Sequence, residues 1–344
     1  MTGLLVLEDG TVFRGESVGA EGAAFGEAVF TTAMSGYQET VTDPSYARQI
    51  VCFSAPMIGN YGVAAERSQS RRVHAQAVLM REARGPHWTD WLVERGVVAL
   101  SGLDTRSIVL HLRERGAMRA AAVAGEPNVD EVLDAVQKQP TMEGAALVAD
   151  VSPDAPYTFT AAGRVRVAVV DYGVKRSILR LLERSGAAVD VFPHDVDADT
   201  LAGYDGVLLG NGPGDPAPLV DETRTVQELV GRAPVLGVCL GHQLLALATG
   251  HETFKLPFGH RGTNHPVLEH GTRRVLVTSQ NHGFAVAPST DEGVTYTSLY
   301  DGTVEGLDYP ELRARSAQFH PEASPGPHDG ASIIAEWVED IAAA

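Results

Sequence analysis

The sequence predicts an α/β protein of two domains, and three observations carry that expectation. From residue 164 onward, wholly apolar strands alternate with helical stretches: RVAVVDYG, VKRSILRLLERSG, AAVDVFP, YDGVLLG, then PVLGV running into HQLLALATG. Strands that are apolar throughout and separated by helices imply a mostly parallel sheet covered on both faces. The length of 344 residues exceeds one ordinary domain. Finally, VSPDAPYTFTAAG (151–163) has two prolines and no periodicity. It reads as a linker between an N-terminal domain over 1–150 and a C-terminal domain over 164–344.

In the N-terminal part, LLVLEDGTVF alternates around Asp9 and Gly10, a hairpin turn. A helical pattern over 88–95 leads to a strand, VVAL. Over 104–115, Ile108, Val109 and Leu112 fall at helical spacing; MRAAAV and a helix over 129–138 follow. These elements make a mixed β and α/β domain. In the C-terminal part, Val174, Ile178, Leu181 and Leu182 share one face of the helix after RVAVVDYG. Sites in parallel sheets lie at the carboxyl ends of the strands, and the unusual residues of this chain fall there.

Composition narrows the function. Lys and Arg number 27 against 44 Asp and Glu, a formal charge of −17. That balance argues against a nucleic-acid partner, which wants a basic footprint, and against an anionic membrane surface. At 44% hydrophobic residues the chain can bury a core. MTGLLVLEDG has no basic leader, and no apolar run is long enough to span a bilayer. Only two cysteines, Cys52 and Cys239, are present. A disulfide framework is excluded, and a cytoplasmic setting is expected.

Gly237-Val238-Cys239-Leu240-Gly241 sits between an apolar strand and a helix, the form of a nucleophile elbow with Cys in place of Ser. The helix N-terminus there favours thiolate over thiol. Read alone, the same residues also fit a core cysteine between glycines. A cysteine nucleophile needs a base and a group that orients it. Gln318-Phe319-His320-Pro321-Glu322 offers both, because Pro321 biases His320 toward extended backbone and so puts residues 320 and 322 on one side. A surface His-Pro turn is the other reading. Asn211-Gly212-Pro213-Gly214-Asp215-Pro216 ends the strand YDGVLLG, and its glycines let backbone amides approach a substrate. A tetrahedral intermediate needs two such donors, and the amide of Leu240 supplies one naturally. An ordinary Gly-Pro turn also fits that segment.

Together NGPGDP, GVCLGHQLLA and FHPEASPGP resemble the triad-type, class I glutamine amidotransferases. More narrowly, MSGYQETVTDPSYARQIVCFSAPMIGNYG (34–62), DYGVKRSILR, FGHRGTNHPV and SQNHGFAV resemble segments of the small, glutamine-hydrolysing subunits of carbamoyl phosphate synthetases. The resemblance covers nearly the whole chain. It implies Cys239 as nucleophile, His320 as base then acid, Glu322 as its orienter, and Gly212 and Leu240 as oxyanion donors. It implies a glutamine site of Ser45, Gly212, Gly214, Leu240, Gln243, Asn281, Gly283 and Phe284. Gln243 lies one helical turn beyond Cys239 on the same face.

No GxxxxGK[ST] loop is present. The resemblance therefore implies no cofactor on this chain, ATP and Mg on a large-subunit partner, and a heterodimer or higher assembly. It further implies ammonia delivered through a channel for carbamoyl phosphate, a precursor in pyrimidine and arginine synthesis. Two rival readings compete. His251, His260, His265 and His270 suggest a metal centre, but their spacings match no ligand pattern and a solvated, loop-rich segment accounts for them better, so no metal site is expected. A silent scaffold that only docks a partner is disfavoured by the joint presence of Cys239, His320 and Glu322. Cys52, inside QIVCFSAP, reads as strand packing.

Overall fold

The computed structural model describes all residues, Met1–Ala344. They gather into two units, Met1–Ala145 with Pro257–Arg261, and Ala146–Leu256 with Gly262–Ala344. In the first unit, β1 (Thr2–Leu7) and β2 (Val12–Ser17) form the hairpin around Asp9 and Gly10. Gly10 has φ 85°, which glycine adopts without the clash a Cβ would bring. With β3 (Ala23–Thr31), β4 (Gln49–Phe53), β6 (Ala77–Leu79), β8 (Val98–Ser101) and β9 (Met118–Ala124), these strands close a barrel in the order β1-β2-β8-β6-β4-β3-β9. The short strands β5 (Met57–Ile58) and β7 (Glu82–Ala83) pair separately.

Strands β3, β4, β6 and β8 run parallel, and antiparallel β1, β2 and β9 complete the ring. Closure leaves no open sheet edge. Leu5, Leu7, Ile50, Cys52, Leu79 and Leu100 share one buried core. Helices span Pro86–Glu94, Thr105–Arg115 and Val129–Gln137. Asp104 caps the second by accepting the Ser107 N–H at 3.1 Å. Pro257–Arg261 belongs here because the Pro257 carbonyl accepts the Ala117 N–H at 2.7 Å and Phe258 stacks on Phe30.

The second unit is built on a ten-stranded sheet. Its parallel centre comprises β11 (Val165–Asp171), β12 (Ala187–Pro193), β13 (Gly206–Leu209), β14 (Val235–Val238) and β19 (Ala314–Ala317). The apolar runs seen in the sequence are β11 to β14; β11, β13 and β14 are buried on both faces, whereas β12 alternates buried with half-buried positions. Helices Val220–Leu229 and Leu240–Ala248 cover one face through Val226, Leu229, Leu240 and Leu244. Helices Arg176–Arg184 and Ser332–Ala343 cover the other through Ile178, Leu182, Ile334 and Trp337. No helix is long and apolar enough to cross a membrane.

Antiparallel strands flank that centre: β10 (Tyr157–Thr160) beside β12, and β15 (Thr253–Glu269), β16 (Val275–Val286), β17 (Val294–Ser298) and β18 (Val304–Tyr309) beyond β19. Two readings of the sequence change here. The stretch 151–163 carries strand β10, and most of the histidine-bearing stretch read as loop-rich is one long strand, β15. Gly, Pro and His interrupt the alternation of β15, so its strand character comes from its sheet partners rather than from local pattern.

Candidate active site

Strand β14 ends at Val238, and Cys239 follows at φ 54° and ψ −102°, directly before helix Leu240–Ala248. Positive φ is strained for a residue with a Cβ and persists only where surroundings enforce it. The two glycines of the elbow make it possible. A Cβ on Gly237 would lie 2.6 Å from the Gly241 carbonyl oxygen, and one on Gly241 would lie 2.7 Å from the Leu209 side chain. The Cys239 N–H donates to the Ala317 carbonyl at 2.9 Å, which ties the elbow to β19. The buried thiol donates to the Asn281 carbonyl at 3.7 Å.

From β19 the chain turns into His320. The Ala323 N–H donates to the His320 carbonyl at 3.2 Å, so residues 320–323 form a tight turn rather than extended backbone. The turn still brings His320 Nδ1 to 2.8 Å from Glu322 Oε1, with both side chains buried. Nε2 of His320 is buried without a hydrogen-bond partner, which leaves it open to a reacting group.

Glu322 Oε1 has a second partner that the sequence did not single out. Lys175 Nζ donates to it at 2.6 Å, and the lysine side chain is almost wholly buried. A buried carboxylate is held in its charged form by such neighbours. Burial raises the Glu322 carboxyl, but Lys175 and then His320 outweigh it, and the group stays far below the ordinary range. For His320, burial opposes charging. The Glu322 carboxylate more than offsets burial, Lys175 opposes it, and Cys239 adds a smaller favourable effect, so the imidazole is raised. In contrast, burial alone drives the Cys52 thiol well above its usual range, which keeps it protonated and inert.

The NGPGDP segment follows β13. Asn211 is fully buried, and its Oδ1 accepts the Lys175 N–H at 3.0 Å. A Cβ on Gly212 would run into the Tyr172 carbonyl oxygen and lie 2.8 Å from Leu240 Cδ2, so only glycine fits beside the elbow. Gly214 has φ 92°, again a glycine conformation, and bridges to Ala146. Gln243 lies one helical turn past Cys239, its N–H donating to the Cys239 carbonyl at 3.1 Å. Its Nε2 donates to the Phe284 carbonyl at 2.7 Å and to Gln318 Oε1 at 3.1 Å. That contact gathers Gln243 and Phe284, with Asn281 held at the thiol, around Cys239. Gly283 lies between them on β16. Ser45 belongs to the first unit, buried in the turn Pro44–Tyr46, where its N–H donates to Asp43 Oδ1 at 3.0 Å.

Three histidines of the rival metal reading take separate hydroxyl or ring partners. His251 Nε2 meets Tyr309 Oη at 2.8 Å, His270 Nε2 meets Thr297 Oγ1 at 2.8 Å, and His265 packs edge-on to Tyr300. His260 falls in the first unit. Around Cys239, by contrast, a thiol, an imidazole and a carboxylate paired with that imidazole come together. That set suits attack on a carbonyl carbon.

Comparison with known proteins agrees with this chemistry. Residues 5–122 match the family model "Carbamoyl-phosphate synthase small chain, CPSase domain", and residues 168–339 match "Glutamine amidotransferase class-I". The carbamoyl phosphate synthase small chain of Xanthomonas campestris pv. campestris is 45% identical over 99% of this chain and 98% of its own length. That of Xanthomonas axonopodis pv. citri is 43% identical, with 99% and 98% covered. That of Akkermansia muciniphila is 42% identical, with 100% and 98% covered.

Proposed function

The chain belongs to the carbamoyl phosphate synthase small-chain family, and we propose that it releases ammonia from L-glutamine through Cys239, His320 and Glu322. The Cys239 sulfur attacks the side-chain amide carbon of glutamine while its proton goes to His320 Nε2. The C=O electron pair moves onto oxygen, facing the N–H groups of Gly212 and Leu240. Collapse re-forms the carbonyl and breaks the C–N bond, and the imidazolium gives its proton to the departing nitrogen. Ammonia leaves and a γ-glutamyl thioester stays on Cys239. Water then loses a proton to His320 and attacks the thioester. A second oxyanion collapses, glutamate leaves, and the thiol is restored.

Glu322 keeps the imidazole Nδ1–H pointed at itself and stabilises the imidazolium, and Lys175 keeps Glu322 charged. Ser45, Gly214, Gln243, Asn281, Gly283 and Phe284 would hold the zwitterionic end of glutamine through neutral polar and backbone groups. The observation that carries this reading is the buried pairing of His320 with Glu322 beside a cysteine in a strained elbow.

The ammonia passes to a separate large chain that supplies ATP, Mg and the bicarbonate chemistry. The first unit, which holds none of the three reacting side chains, docks that chain in a cytoplasmic heterodimer. The test is Cys239→Ser in the complex. Glutamine-supported carbamoyl phosphate formation should fall by orders of magnitude while ammonia-supported formation persists. Loss of both, or of neither, would defeat the reading.

A further inference from the structure

Fully buried Asn211 makes two contacts with one neighbouring loop. Its Oδ1 accepts the Lys175 N–H at 3.0 Å, and its Nδ2 donates to the Gly173 carbonyl at 3.0 Å. The same loop is fixed from its other end by Asp171 Oδ1, which accepts the N–H groups of Gly173 at 2.8 Å and Val174 at 2.6 Å. A carboxamide offers one acceptor and one donor side by side in this way without needing a proton. Two features make the contact more than packing. Asn211 supplies the carbonyl half of the peptide whose N–H belongs to Gly212. Lys175, whose backbone it holds, is the residue whose Nζ reaches Glu322.

We propose that Asn211 is a positioning residue for glutamine hydrolysis. Its carboxamide fixes the plane of the peptide between Asn211 and Gly212, which aims the Gly212 N–H. It also keeps that donor in register with the chain Lys175, Glu322, His320. The inference rests on the reading of Gly212 as an oxyanion donor. Gly210, one residue earlier, is held by its N–H to Val170 and by its carbonyl to the Gly241 N–H, each at 3.0 Å. Beyond it the Asn211 side chain sets the direction of the turn. A donor turned out of line forfeits most of its effect, because stabilisation depends on aim at the developing charge.

Asn211→Asp keeps the shape and the Oδ1 acceptor but sets a second acceptor against the Gly173 carbonyl. Protonating that carboxyl restores a donor. Asn211→Ala removes both contacts and has nothing to protonate. In full-length protein with its large chain, the Asp variant should lose about 100-fold in kcat for glutamine, the scale of one oxyanion donor, with KM little changed. Its kcat relative to wild type should rise as pH falls, and that of the Ala variant should not.

Alkylation of Cys239 by iodoacetamide passes through no oxyanion, so it should run near the wild-type rate in both variants. Wild-type kcat in both variants overturns the proposal. So does a parallel fall in turnover and alkylation, which would mark general collapse of the site, or a flat pH ratio in the Asp variant. If the buried carboxylate unfolds the Asp variant, the Ala variant decides through its turnover and alkylation alone. A wild-type complex that hydrolyses no glutamine would instead defeat the proposed function itself.

Discussion

Lys175→Met tests the least expected part of the site. The Nζ to Oε1 distance of 2.6 Å, between side chains almost wholly buried, corresponds to a gross attraction of roughly 6 kcal/mol at an effective dielectric of about 20. Desolvation of the lysine offsets part of that. Removing one member of a buried pair strands the other charge, and the net loss is about 3–5 kcal/mol. Methionine fills the space without the charge, so the loss is electrostatic rather than a cavity.

The same change alters the chemistry with a definite sign. The reactive Cys239 and His320 pair holds one proton between them, and the inactive acid form holds two. Lys175 opposes the second proton, since it disfavours the charged imidazole. Without it His320 keeps that proton to higher pH, and the acid limb of kcat/KM for glutamine moves upward. Each unit of that move is about 1.4 kcal/mol. The assay is glutamine hydrolysis by the complex across pH, with urea unfolding of the same samples. An acid limb at its wild-type position, with stability reduced by less than about 1 kcal/mol, would refute a buried ion pair that matters.

His320→Asn should abolish thioester formation, whereas Glu322→Gln should lose less turnover, because orientation and imidazolium stabilisation are only part of catalysis; equal loss in single-turnover assays would require a more direct role for Glu322. Gly212→Ala should lower kcat by about 10²–10³-fold, since its Cβ would meet Leu240 at 2.8 Å and displace a backbone donor; an active variant would take Gly212 out of the site. Because His320 is raised in the folded chain, its contribution to stability is fully present below its unfolded value of 6.5 and fades as pH rises through the folded one. Unfolding free energies should therefore fall above pH 6.5 in wild type and fall less in His320→Asn; identical slopes would contradict the ion pair.

The parts of this molecule that could be read from sequence are those whose signal is local. The elbow is five consecutive residues, and its glycines are required by contacts within the same turn and the next strand. The parallel strands announce themselves as apolar runs because both of their faces are covered. His320 and Glu322 were legible as a pair, although a turn rather than extended backbone brings them together.

What stayed hidden depends on distant partners. Lys175 is 147 positions from Glu322, and Asn211 is 36 from Lys175. At sequence level the first is one more helix-flanking cation and the second one more turn residue. The closed barrel was equally out of reach, since its short strands β4, β6 and β8 are defined by whom they pair with. So was β15, where His, Gly and Pro mask a strand of 17 residues.

Covalent catalysis by Cys239 is tested by mass spectrometry of the complex, quenched in acid while it turns over glutamine, followed by peptide mapping. A γ-glutamyl group in thioester linkage is expected on the peptide that holds Cys239, released by hydroxylamine, with none on Cys52. Steady turnover with no adduct on Cys239, or an adduct on Cys52, would contradict it.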